Sequence, residues 1–248
     1  MTNLRLIVLL PFALFALACG QQQVIPENLP PNTAIQPVQQ DASWAVTWWG
    51  PRHEEKLALA KDADIELVML GDSITHGWEN AGNEIWQQYY ADRKAFNLGF
   101  SGDRTEHVLW RLQNGAVDGM NPKLVVIMIG TNNTGHFMDP ALHTADGIGH
   151  IVGELRERLP TTRILLLGIF PRHQSPYNDM RRRNDEINAL VAKMADGETI
   201  HYLDVSHAFL NDDGTLPLDI MPDQLHPNAA GYALWAEAME PTIRELLD

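Results

Sequence analysis

Two stretches of this sequence bring together side chains with catalytic chemistry. In Gly71-Asp72-Ser73-Ile74-Thr75 a serine follows a short apolar run. In Asp223-Gln224-Leu225-His226-Pro227 a carboxylate and an imidazole lie three residues apart. A serine hydroxyl is a weak nucleophile until a base takes its proton. An imidazole serves as that base when a carboxylate fixes its tautomer and stabilises its charged form. The three-residue spacing lets one loop or helix turn deliver Asp223 and His226 to one place, and Pro227 suits the first position of a helix, which sets His226 at a helix start. Two more positions are candidate donors to a developing oxyanion. Gly102, in Ser101-Gly102-Asp103, can bring its backbone N–H close because it lacks a side chain. Asn132, in Gly130-Thr131-Asn132-Asn133, carries a side-chain amide. Preorganised donors of this kind are each worth roughly 3–4 kcal/mol in a transition state. Read singly, each segment is equally a turn or a helix cap. The Gly-x-Ser-x-Gly elbow of many hydrolases is absent, and Gly99-Phe100-Ser101-Gly102 closes one residue too early.

Their placement in the chain distinguishes them. Short apolar runs at 65–70, 95–98, 124–129, 164–167 and 200–203 read as strands, and the first four end at Gly71, Gly99, Gly130 and Gly168. Such near-continuous apolar strands suit a parallel sheet covered on both faces. Helical patterns occupy 105–113, 141–159, 179–195 and 229–247 between and after them. The alternation predicts a three-layer α/β/α domain. Ligands in such sheets bind beyond the carboxyl ends of the strands. Ser73, Gly102 and Asn132 lie just past the ends of the first three strands, and a helix after Ser73 would aim its positive end at that residue.

Taken in order, Ser73, Gly102, Asn132 and Asp223-x-x-His226 resemble the four blocks of the GDSL esterases, also called SGNH hydrolases. Ile74 replaces that family's usual Leu, and Asn133 its usual Asp. The resemblance covers the chain from about Asp64 to Leu247. Within the family the sequence is most similar to the catalytic subunits of platelet-activating factor acetylhydrolase. The runs Asn97–Asp103 and His107–Leu112, Gly130–Asn133 and Pro171-Arg172 carry that similarity. The resemblance implies a flavodoxin-like, five-stranded parallel sheet of order 2-1-3-4-5, with neither metal nor cofactor. It also implies that Ser73 attacks an ester carbonyl, that His226 shuttles the proton and that Asp223 orients His226. The Ser73 and Gly102 N–H groups and the Asn132 side chain would then hold the oxyanion. A homodimer fits the same resemblance. The expected activity is hydrolysis of short, chiefly acetyl, esters of a sugar or small lipid. Two alternatives are a phospholipase or thioesterase using the same residues, and an inactive envelope binding protein on the same scaffold.

The formal net charge is -14, which disfavours nucleic acid and anionic membrane surfaces as partners. Arg5 precedes an apolar stretch at 6–18, too short to span a bilayer and shaped like a signal peptide. Ala16-Leu17-Ala18 suits ordinary cleavage. Cys19, the only cysteine, would carry a lipid if the chain is a lipoprotein. Export to the cell envelope, with membrane contact only through that anchor, or free secretion, is expected. Residues 19–40, rich in Gln, Pro and Asn, read as a flexible linker, and 41–248 as the hydrolase domain. His76 and Arg104 are candidate pocket-lining residues. His136, His143 and His150 recur every seven residues but match no metal-binding motif. Trp44, Trp48 and Trp49 are expected to pack an N-terminal segment on the domain, with sugar binding as the other reading. Ser101 is expected to be only part of a turn, and Arg181-Arg182-Arg183 a solvated face.

Overall fold

A computed structural model describes residues 29–247. The expected signal peptide at 1–18 and Cys19 lie outside them. Five strands, β1 (Leu67–Gly71), β2 (Ala95–Gly99), β3 (Leu124–Met128), β4 (Arg163–Leu167) and β5 (Ile200–Leu203), form one parallel sheet. Its order is β2-β1-β3-β4-β5, as expected. Successive residues of a strand face opposite sides. Accordingly Val68, Leu70, Val125, Ile127, Ile164 and Leu166 join one apolar core. Leu67, Met69, Leu124, Val126, Leu165 and Leu167 join the other. Each fully buried side chain of this kind contributes about 1.5–3 kcal/mol, which explains why apolar residues occupy both faces.

The first core is closed by α4 (Thr105–Gln113), α6 (Ala141–Arg158) and α7 (Asp179–Val191). The second is closed largely by α8 (Ala229–Leu247), whose Tyr232, Trp235 and Met239 are buried. Three more helices were not legible as elements, α1 (Trp49–Ala60), α3 (Asn83–Tyr89) and α5 (Thr131–Phe137), while the helix expected after Ser73 is the short α2 (Ser73–His76). The register aligns Gly71 with Gly99 on one side and with Met128 on the other. The three segments that follow β1, β2 and β3 therefore emerge side by side at one edge of the sheet.

The linker expected through residue 40 needs correction, because the compact unit begins at Pro31. Ala34 is buried, and its carbonyl accepts a hydrogen bond from the Thr105 hydroxyl at 2.8 Å. Val38 N–H donates to Glu106 O at 3.2 Å. The buried Gln40 amide donates to Gly102 O at 3.3 Å and lies at the same distance from His107 Nδ1. The composition of this stretch suggested a tether, yet its polar groups find fixed partners on and beside α4. Arg181 likewise departs from the expected solvated face. It is buried, while Arg182 pairs with Asp179 and Arg183 with Glu186.

Candidate active site

Ser73 opens α2 directly after the turn at Asp72. The Asp72 carboxylate caps that turn by accepting from the Ile74 N–H at 2.9 Å. Asp72 is fully enclosed, and burial pushes its carboxyl up to about 7. The helix expected behind Ser73 is a single α-turn continued by a short 3-10 segment at Gly77–Glu79. A turn of that length has little dipole to offer, so the expected dipole support is not supplied there. The Ser73 Oγ instead faces an imidazole, with His226 Nε2 2.7 Å away.

Asp223 builds the loop that delivers His226. Its Oδ1 accepts from the N–H groups of Leu225 at 3.0 Å and His226 at 2.7 Å. Its Oδ2 lies 2.6 Å from His226 Nδ1. A carboxylate there calls for Nδ1–H as the donor, which leaves Nε2 as an acceptor toward Ser73. Partial burial opposes ionisation of Asp223, but the His226 N–H and imidazole hold its carboxyl below the usual range. The loop is tied from outside as well: His173 N–H donates to Gln224 O at 2.8 Å and Asn228 N–H to Ile220 O at 3.0 Å. His226 does not begin a helix. The Asn228 side chain accepts from Gly231 N–H at 3.1 Å and caps α8, two residues beyond His226.

Gly102 lies in the left-handed region at φ +79°, and a Cβ there would fall 2.0 Å from the Trp44 ring. Only glycine fits such a turn without strain. Behind it, Asp103 is buried and accepts from Trp49 Nε1 at 2.6 Å and Arg111 Nε at 2.8 Å. Burial pushes the Asp103 carboxyl up to about 6, with Arg111 acting against it. The Asp103 carbonyl accepts one N–H of the Asn132 amide at 2.9 Å. An amide nitrogen has two hydrogens, so this bond fixes the side chain and leaves the other for a ligand. Asn133, the departure from the family pattern, is fully buried. Its oxygen accepts from Thr105 N–H at 3.1 Å, and its nitrogen reaches Glu106 at 3.2 Å and Asp139 at 3.1 Å. An amide suits that position because its N–H groups face two carboxylates.

A cavity of about 250 Å³ opens over Ser73, lined among others by His76, Asn80, Ser101, His226 and Tyr232. His76, a candidate pocket-lining residue, borders this cavity. Burial, with help from Arg52, pushes its imidazole down to about 4, so it is neutral at ordinary pH. Ser101 is more than a turn residue, since its Oγ lies 3.0 Å from His76 Nδ1. Arg104 corrects its expectation. It donates to Glu106 and stacks its guanidinium 4.6 Å from the centre of the Phe137 ring. There it lines a different cleft, beside Val38 and Phe137. His136 lies 3.3 Å from Arg104, His143 is buried and His150 sits on the surface near Asp146. Sequence reasoning missed Asp72 and the Trp49–Asp103–Arg111 support, which single-residue patterns do not signal. Of the three tryptophans expected to pack, Trp49 is buried, Trp48 partly so, and Trp44 is largely exposed.

The chain matches the model of the GDSL-like lipase/acylhydrolase family over residues 69–234. It is 38% identical over 216 residues to human platelet-activating factor acetylhydrolase IB subunit alpha1, covering 87% of this chain and 89% of that protein. Among solved structures, a GDSL-like lipase from Bacteroides thetaiotaomicron superposes with a TM-score of 0.65 at 19% identity, covering 80% of this chain and 98% of the other. An acetylxylan esterase from Geobacillus stearothermophilus does so with 0.59 at 22% identity, covering 74% and 94%. At these identities the two superpositions speak for the fold.

Proposed function

Because the chain belongs to the GDSL-like lipase/acylhydrolase family and is a carboxylic ester hydrolase, we propose that it cleaves short acyl esters, acetyl foremost, through an acyl-enzyme on Ser73. The observation that carries this reading is the unbroken chain from Ser73 Oγ through His226 to Asp223, with links of 2.7 and 2.6 Å. In the first half-reaction the Ser73 oxygen adds to the ester carbonyl carbon and its proton passes to His226 Nε2. The carbonyl oxygen becomes an oxyanion, held by the backbone N–H groups of Ser73 and Gly102 and the Asn132 amide. Collapse breaks the carbon–oxygen bond to the alcohol, which leaves with the proton from His226. Water then repeats the sequence on the acyl-enzyme and releases the acid. Asp223 keeps Nδ1–H directed at itself and stabilises the imidazolium that forms twice per turnover.

A cavity of about 250 Å³ shared between acyl group and alcohol supports a short chain. The human relative's name concerns an acetyl ester, and so does that of the bacterial neighbour. Initial rates on p-nitrophenyl acetate, butyrate and octanoate and on an acyl thioester test the reading. We expect kcat/KM to be highest for acetate and to fall about tenfold or more by octanoate. A preference for octanoate or for the thioester would replace acetylesterase by a lipase or thioesterase reading. Export is a separate proposal, resting on Arg5, the apolar stretch at 6–18 and Cys19. Mass spectrometry of the mature N-terminus tests it, a lipidated Cys19 being the expected result and an uncut Met1 the contrary one.

A further inference from the structure

Trp44 and Trp48 lie before the residues matched by the family model, and the mechanism above leaves them unused. Trp44 is 51% exposed although its ring rests on Gly102, beside the proposed oxyanion donor. The Trp48 ring centre is 6.3 Å from that of Trp44 and 6.0 Å from that of His76. The Trp48 indole N–H is spent on the Trp44 carbonyl at 3.1 Å, so what Trp48 presents is ring surface. His76 and Ser101, joined at 3.0 Å, continue the wall down to Ser73. We infer that Trp44, Trp48, His76 and Ser101 form a subsite for the alcohol half of the ester, and that this alcohol is a sugar ring.

Flat indole rings suit the C–H face of a sugar, and a few fixed polar groups suit its hydroxyls. The Ser101 hydroxyl, shared with His76 Nδ1 at 3.0 Å, keeps a lone pair to accept from such a hydroxyl. A phosphate-bearing alcohol fits less well. Among the described residues neither Lys nor Arg lines the cavity, and Arg52 and Lys56 are paired with Glu79 at 2.8 Å.

The inference rests on the esterase reading, so its test separates the two. The readout is the ratio of kcat/KM for acetylated xylo-oligosaccharides to kcat/KM for p-nitrophenyl acetate. Trp44→Ala and Trp48→Ala should each lower that ratio about tenfold, chiefly through KM for the oligosaccharide. Phe137→Ala, in the other cleft, should leave it unchanged. Fluorescence titration of Ser73→Ala with xylotetraose should show saturable quenching that Trp44→Phe weakens, which covers the case of a disturbed Gly102 turn. An unchanged ratio in both Trp variants overturns the subsite while leaving the esterase standing. A fall confined to acetylcholine as substrate overturns the sugar. Undiminished p-nitrophenyl acetate turnover by Ser73→Ala would instead overturn the esterase reading itself.

Discussion

Asp72 and Asp223 flank the Ser73–His226 pair in opposite surroundings. Asp223 reaches solvent and is held ionised by the groups it orients. Asp223→Asn keeps the shape but lets the imidazole settle in the wrong tautomer, and kcat should fall about 10²–10⁴-fold with KM little changed. An undiminished kcat would mean that His226 needs no carboxylate. Asp72 is sealed off, with a folded value of about 7 against an ordinary 3.8. Between those values the folded protein keeps a proton that the unfolded chain has released, so the stability contribution of Asp72 declines as pH rises through this window. Asp72→Asn retains the cap on Ile74 and removes that dependence. Urea denaturation should find it level with the parent near pH 4 and more stable by roughly 1–3 kcal/mol near pH 8; parallel curves would contradict the account. Gly102→Ala carries both a positive φ and a clash with Trp44. Its kcat should fall about 10²-fold or more, with a loss of about 1–3 kcal/mol in stability.

At the level of elements, the strands and long helices were legible because burial dictates them. The run at 124–129 became β3 at Leu124–Met128, and the pattern at 105–113 became α4 at Thr105–Gln113. Helix α5 was not legible, since Thr-Asn-Asn-Thr-Gly contains poor helix formers. It is held by tertiary bonds, above all those of Asn133 to Thr105, Glu106 and Asp139. The serine and the two candidate oxyanion residues were legible for a related reason, since adjacent parallel strands end side by side, whereas the Asp–His pair, well beyond β5, was legible only from its three-residue spacing. Arg104 was misjudged because its sequence position beside Gly102 says nothing of its side-chain direction, which Glu106 and Phe137 set. Restoring the family's usual acid with Asn133→Asp would place a third carboxylate beside Glu106 and Asp139. Thermal melts should show a loss of about 1–3 kcal/mol at neutral pH that shrinks toward pH 5, as that acid becomes protonated. Equal melting temperatures at both pH values would count against this packing.

For the whole molecule, the segment from Pro31 to Gln40 belongs to the machinery rather than to a tether, since Gln40 reaches Gly102 and Ala34 holds Thr105. A chain starting at residue 41 should melt several degrees lower than one starting at 29, and its kcat should fall as the Gly102 turn loosens. Equal melting and turnover would return this stretch to the status of a linker. The two apolar cores on either face of the sheet hold the domain together. In the proposed reaction Ser73 is the residue that takes the acyl group. Ser101, bonded to His76 in the same cavity, is its nearest rival. Peptide mapping after treatment with a fluorophosphonate decides between them. One adduct on the Ser73 peptide, missing from Ser73→Ala and retained by Ser101→Ala, is the predicted result. An adduct on Ser101, or labelling that survives Ser73→Ala, would contradict it.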